Sequence, residues 1–260
     1  MSVPSLADLL SDAPGQVESL KLHLCQSLEL NLNTVGVKQP FYQVRVEDTD
    51  LVKLNGGQLI GNGLDILVRS VRDFVSFAGV MVGIEKSVKL NLQVKDSREA
   101  RLHYLDMGNV GLRLKTRNVE EVNIINTQID NITENAVEVF YTKSLQISNS
   151  IFKHVDNESV TVNHVSSINV RNTLGVTNSS FAFLSPPDEV LLSCVAPYQG
   201  PVGPLYSWGE DCPPLRALSL TGDSTSIGAA LLTTACVMIL LLIILLLVFL
   251  HRKGRLDWLL

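Results

Sequence analysis

Short stretches in which apolar and polar residues alternate fill most of the first 180 or so positions. The clearest stretch, Val122–Thr127 (VNIINT), returns as Leu145–Ser150 (LQISNS) and as Ile168–Thr173 (INVRNT), and each step is 23 residues. A second phrase, Val137–Val139, returns at the same step as Val160–Val162. Alternation is the pattern of a half-buried strand. A fixed period of this size with two strand-like pieces predicts a coil of stacked turns.

Each of the three longer phrases contains an asparagine that the alternation points inward, at a corner of the coil. These residues are Asn126, Asn149 and Asn172. Asparagine tolerates the left-handed backbone of a tight corner. At the strand spacing of about 4.8 Å, stacked amides can also hydrogen-bond to one another. We therefore expect a structural ladder at these positions rather than a ligand site.

Two repeat architectures compete for this pattern. The spacing from Val119 to Ile132 also fits a leucine-rich repeat, which spends its second half on a helix or a loop. Here the second halves, Ala136–Phe140 and Ser159–Val162, alternate and are rich in β-branched residues, which favours strands. With its φ-x-φ-x-Asn phrase and a small residue before the second strand, the chain resembles the right-handed parallel β-helix family, the pectate-lyase-like solenoids. The resemblance is clear over about 119–175 and implies an all-β fold.

The coil is expected to cover residues 17–183. Steps of 22 to 25 residues lead from the strand at Val137 back to Leu112, Val88, Ile66, Val44 and Leu20, which gives about seven turns. Before the coil, residues 1–16 hold a short capped helix that could cover the open end. After it, the prolines of residues 184–226 indicate a semi-rigid stalk.

Cys194 and Cys212 bracket this proline-rich segment. Outside the cytosol, a disulfide between them would staple a segment that lacks a core, with a contribution of about 2–4 kcal/mol. Two buried thiols are the alternative. The remaining cysteines form no C-x-x-C motif with them, so no zinc or redox motif is predicted.

Residues 227–250 contain no charged side chain. As a helix, they would be about 36 Å long, enough to cross a hydrocarbon core of about 30 Å. We therefore predict one transmembrane helix, followed by a short basic tail at 251–260.

The bases of this tail place it in the cytosol under the positive-inside rule, with the coil outside the plasma membrane. Sequons at Asn131, Asn157 and Asn178 agree with a glycoprotein. Residues 1–15 show no signal peptide, however. Either the N terminus is incomplete or the chain is a tail-anchored protein whose coil faces the cytosol.

Neither the charge distribution nor the motifs of the sequence point to a specific reaction or ligand. The formal charge is −5, and bases do not cluster along the chain before the last ten residues, so nucleic acid is not an expected partner. Because the β-helix family includes enzymes that cleave acidic polysaccharides, Asp130 and Asp156 on neighbouring turns are the acids to examine. His154 and His164 fit surface positions better than a metal pair. No catalytic residue, metal or cofactor is predicted.

The expected function is therefore binding, adhesion or scaffolding by a single-pass membrane protein at the cell surface. Its expected partners are the lipid bilayer and a protein or glycan ligand that the sequence does not identify. A membrane-anchored polysaccharide lyase or hydrolase is the first alternative. A tail-anchored scaffold that faces the cytosol, for which a leucine-rich-repeat architecture is one option, is the second.

Overall fold

The chain winds into a parallel β-solenoid of about seven turns. The structure is a computed structural model, and it describes residues 5–11, 19–35, 43–60, 63–84, 88–108, 110–130, 136–200, 205–206 and 212–216. The elements are, in chain order, α1 (Leu6–Ser11), β1 (Ser19–His23), β2 (Ser27–Asn31), β3 (Gln43–Leu59), β4 (Gly63–Gly83), β5 (Val88–Gly108), β6 (Val110–Ile125), β7 (Gln128–Ile129), β8 (Val137–Ser148), β9 (Ile151–Phe152), β10 (Val160–Leu174), a 3-10 helix (Asn178–Ser180), β11 (Phe181–Phe183), β12 (Glu189–Ala196), β13 (Leu205–Tyr206) and β14 (Leu215–Arg216).

The repeat period predicts the stacking of the central turns correctly. Val122 pairs with Leu145 and Leu145 with Ile168, and Val137 pairs with Val160, all in parallel. Because Val137–Ser148 is a strand, the leucine-rich-repeat alternative is wrong.

Each full turn contributes three strand segments, not two, and so builds three walls. The first wall contains β1, β11 and the first segments of the long strands, and the second contains β2, most of β12 and the segments that follow. The third wall is short in each turn: Gln58 pairs with Val82 and Val82 with Gly108, and further along Ile129 pairs with Phe152.

The strands turn their corners through single residues with left-handed backbone. Between the first and second walls these residues have φ of 49–56° and are Leu24, Asp48, Ser70, Asp96, Asn118, Tyr141 and His164. Between the second and third walls, φ is 50–54° at Tyr104, Asn126, Asn149, Asn172 and Cys194. One such residue per corner redirects the chain while leaving the inward and outward alternation intact on both sides.

The alternation fills the interior with aliphatic side chains, and helix α1 covers the N-terminal end. Leu6 is fully buried under the first turns, and Ser5 forms a bridge to Asn31. The N–H of Asp8 donates to Ser5 Oγ, and the N–H of Ser5 donates to Asp8 Oδ2, which closes the predicted cap.

The register of the earlier turns differs from the predicted one. Leu20, Val44 and Ile66 stack as expected, but Val137 pairs with Leu114 rather than with Leu112. In the same way, Leu112 pairs with Leu90 rather than with Val88. Ile66 likewise pairs with Leu92 rather than with Val88. A slip of two or four residues keeps every side chain on its own face, so the pattern could not exclude it.

At the C-terminal end, the solenoid continues past the predicted boundary at 183. Strand β12 pairs in parallel with β10, and Cys194 within it forms the predicted disulfide with Cys212. The disulfide holds β14 against the outer face of the third wall, where Leu215 packs on Ile151 and Leu174.

No helix among the described residues is both long enough and apolar enough to cross a bilayer. The predicted span at 227–250 and the tail at 251–260 lie outside the described part of the chain.

Candidate binding surface

The asparagines at the corner between the second and third walls form hydrogen bonds to neighbouring turns. The Asn172 side-chain amide donates to Asn149 Oδ1 at 2.8 Å, and this is the kind of bond predicted between stacked turns. Asn126 occupies the same left-handed corner one turn earlier, where its backbone N–H donates to the Ser148 carbonyl. These contacts bind one turn of the coil to the next.

Two of the three sequons lie on one edge of the solenoid. Asn157 and Asn178 are exposed in consecutive turns that lead from the third wall into the first. Asn131 lies outside the described residues. Glycosylation of the three remains a prediction.

The two candidate catalytic acids have different surroundings. Asp130 forms an ion pair with Lys153 on the third wall at 2.5 Å, whereas Asp156 is exposed in a turn. Asp130 also faces Asp106 of the preceding turn, and burial together with this second carboxylate raises the pKa of Asp106. The Gln128 amide donates to Asp106 Oδ1 at 3.5 Å.

The two histidines lie at different corners. His154 is exposed in a turn after the third wall, and the His164 ring stacks on Tyr141 with centroids 4.9 Å apart. Within the described ranges, no group of three or more His, Cys, Asp or Glu side chains is arranged to hold a metal ion.

Among the described residues, many bases lie on the outer face of the first wall, in three successive turns. Its outward positions carry six bases, which we call the basic wall: Arg69, Lys89, Lys95, Arg113, Lys115 and Arg117. The outward acids next to them are Asp65, Glu47 in the preceding turn, which pairs with Arg69, and Glu138 in the following turn. This face is positive although the whole chain carries a formal charge of −5.

Register places these bases beside one another. Arg69 pairs with Lys95, and Lys95 pairs with Arg117, so the three form a column along the solenoid at about 4.8 Å per turn. Their neighbours in sequence, Val68 and Val94, are fully buried, so the strands hold the charged side chains outward.

Some of the bases already have acidic partners. Arg69 Nε donates to Asp96 Oδ2 at 3.1 Å, and Lys115 pairs with Glu138 at 2.5 Å. A hydrogen bond from Asn118, with the Arg69 contact, lowers the pKa of Asp96 despite some burial. Glu138 also lies 4.0 Å from Arg113.

The other three bases, Lys89, Lys95 and Arg117, have no acid within ion-pair distance in the described structure. Lys95 still acts on the nearby Asp96 through its charge, and Arg117 lies over the Tyr141 ring.

A groove of about 440 Å³ runs over this face, and polar side chains line it: Asp65, Asn91, Gln93, Lys95, Arg113, Lys115 and Glu138. Two bases of the wall lie close to aromatic rings. The Lys115 ammonium lies 5.5 Å from the ring centroid of Phe140, and the Arg117 guanidinium lies 5.7 Å from that of Tyr141. Tyr141 is 47% exposed, and the His164 ring covers one of its faces.

Sequence reasoning missed this surface because it sought bases that cluster along the chain. Arg69, Lys95 and Arg117 come from turns 22 to 26 residues apart, and only the register unites this column. Arg113, Lys115 and Arg117, in contrast, alternate along a single strand. The available signal was the repeat itself, since Lys95 and Arg117 are 22 residues apart.

The fold and its surface define a class of protein: a parallel β-solenoid with one basic wall. Comparisons with protein-family models, with curated proteins and with solved structures give no significant match.

Proposed function

We propose that this chain is a single-pass membrane protein whose solenoid lies outside the cell and binds an anionic polysaccharide along the basic wall. We also propose that the coil is a right-handed β-helix of the pectate-lyase-like type. The observation that carries the function is the column Arg69–Lys95–Arg117, because two of its three charges have no acidic partner among the described residues.

A polymer suits this surface better than a small anion. An exposed ion pair contributes only about 0.2–1 kcal/mol, so useful affinity requires several at once. A chain that lies along the solenoid can contact bases from three turns at once. Nucleic acid is a poorer candidate, because its binding domains are strongly basic and the sequence pI here is about 5.5.

The location outside the cell is supported by the cysteines and the tail. The Cys194–Cys212 disulfide fits an oxidising compartment, and disulfides are rare in the cytosol. The uncharged stretch 227–250 followed by a basic tail fits a span with its C terminus in the cytosol. Both features disfavour the tail-anchored alternative.

Binding is favoured over cleavage by the positions of the acids. General acid and base catalysis needs carboxylates beside the bound polymer. Asp65 and Glu138 at the groove are hydrogen-bonded to Asn91 and Lys115, and the acid with a raised pKa, Asp106, lies on the third wall instead. The proposed role is therefore recognition or adhesion.

The test compares two triple variants of the full chain in detergent. Lys89→Ala, Lys95→Ala and Arg117→Ala together remove the unpaired bases of the basic wall. The control, Lys53→Ala, Lys143→Ala and Arg171→Ala, removes three exposed bases that lie outside it. Binding to immobilised heparin and to polygalacturonate is measured, with neutral dextran as the blank.

The wall variant should bind the anionic polymers at least about tenfold more weakly, and the control less than about twofold, since only the former removes aligned charges. Equal losses in the two variants would contradict the proposal. Release of shortened products, abolished by Asp106→Asn with Asp130→Asn, would show an enzyme instead.

Location is tested separately by digesting the cell-expressed chain with an N-glycosidase. A mobility shift that Asn157→Gln and Asn178→Gln reduce would place the solenoid outside the cytosol. An unshifted band from a chain that is protected from extracellular protease would place it inside.

A further inference from the structure

The last turn of the solenoid exposes an unusual number of large apolar side chains. Four of them lie within nine residues of sequence, with 40–64% of their surface exposed: Phe183, Leu184, Val190 and Leu191. Leu184 is the most exposed of the four, at 64%. Two prolines, Pro186 and Pro187, lie in the loop between them.

Two of these four side chains are the ends of core columns. Phe183 stacks on Val162, and Val190 stacks on Ile168, and both partners are 1% exposed. In the earlier turns that the structure describes, the following turn covers the core side chains. The opposite end of the solenoid is closed by helix α1, whose Leu6 is fully buried.

The chain leaves the solenoid at this same end. The Cys194–Cys212 disulfide and the packing of Leu215 hold residues 212–216 on the last turns. Ten residues, 217–226, separate them from the predicted span. Even fully extended, such a linker reaches at most about 40 Å. If the chain is anchored, the last turn is therefore the part of the solenoid tethered most closely to a bilayer.

We propose that the last turn lies on the membrane that anchors the chain and inserts Phe183, Leu184, Val190 and Leu191 into the lipid interface. This inference rests on the proposed function, which supplies the anchor. Removing four exposed apolar side chains from water favours such insertion. The tether makes the contact intramolecular, so that even a weak lipid affinity is sufficient.

The charges beside the loop specify the kind of lipid. Asp188 and Glu189 are exposed between the two apolar pairs, and anionic headgroups would repel them. The surface therefore suits a zwitterionic leaflet rather than one rich in anionic lipid. This preference agrees with the proposed location, since the cytoplasmic leaflet is the anionic one.

The test places a fluorescent reporter in the loop of the full chain, reconstituted into phosphatidylcholine vesicles. In a background of Trp208→Phe and Trp258→Phe, Leu184→Trp and Leu191→Trp are made as two separate variants. Tyr104→Trp is the control, because Tyr104 is 56% exposed at a corner of an earlier turn. Quenching by lipids with brominated acyl chains is then measured.

Both loop reporters should be quenched at least about twofold, and the control should be unaffected. Replacing a third of the lipid with phosphatidylserine should reduce the quenching, and unchanged quenching would overturn the headgroup preference. If the protein resists alkaline carbonate extraction while both loop reporters match the control, the lipid contact is overturned and the anchor survives. If carbonate removes the protein, the anchor itself is wrong and the inference fails with it.

Discussion

At the scale of single residues, the corners show how far residue identity can be predicted from a fold. The asparagines at the corner between the second and third walls could be recognised because the same residue recurs at 23-residue steps. The corner between the first and second walls uses Asp48, Ser70, Asn118 and even Leu24 in the same left-handed conformation. There the paired strands on both sides determine the backbone, and they override the residue preference that a sequence reader relies on.

The buried acid of the third wall gives a prediction about pH. Burial and the nearby Asp130 raise the pKa of Asp106 above its unfolded value, so the folded state binds the extra proton. The ionised Asp106 therefore lowers the free energy of unfolding at pH values above the pKa of the folded state. This cost disappears at pH values below the pKa of the unfolded state. At neutral pH, Asp106→Asn should therefore raise Tm, because the asparagine puts no charge at this half-buried position. Thermal unfolding at pH 7 and at pH 3 measures it, and the gain should vanish at pH 3.

Glu99 is the matched control, because its pKa is shifted in the opposite direction. A hydrogen bond from Arg101, aided by one from Asn123, lowers the pKa of Glu99 despite its burial. Glu99→Gln should therefore lower Tm at pH 7 and have little effect at pH 3. A gain of stability in Glu99→Gln, or a loss in Asp106→Asn at neutral pH, would contradict the stated directions of the two pKa shifts.

At the scale of elements, alternation predicted the strands well and their register less well. The strands at Leu20, Val44, Ile66 and Val137 lie where the pattern places them. Two-residue slips in register preserve alternation, so the pairing of Leu112 was wrong although its face was right. The third wall escaped prediction because segments as short as Gln128–Ile129 are too brief to show any alternation.

Two glycines test how tightly the turns are packed. Gly175 has a φ of +94°, and a Cβ there would meet the Phe152 carbonyl of the adjacent turn. Gly175→Ala should therefore lower the free energy of unfolding by about 2 kcal/mol or more. At Gly108, a Cβ would have no atom within 4 Å, so Gly108→Ala should change the free energy of unfolding by about 0.5 kcal/mol at most. Urea denaturation measures both, and equal effects would show that the turns do not approach as closely as described.

At the scale of the whole molecule, the basic wall depends on the stacking of turns. Arg69, Lys95 and Arg117 share one column only because their turns stack in this register, and Arg113 and Lys115 extend the wall along the strand that carries Arg117. The sequence predicted the coil and the disulfide, since a repeat and a cysteine pair can be recognised along the chain. It could not predict the wall, because a surface assembled from three turns requires their register first.

The most direct test of this column is a disulfide formed between its members. With Cys25 and Cys236 replaced by Ser, Lys95→Cys with Arg117→Cys puts two thiols on paired residues, where Cα atoms about 4.8 Å apart permit a disulfide. The control, Lys95→Cys with Arg113→Cys, displaces one thiol by four residues, about 13 Å along the strand. Under mild oxidation, the paired thiols should be lost from thiol labelling at least about fivefold faster than those of the control. Equal rates, or faster oxidation of the control, would contradict the register on which the basic wall and the proposed function depend.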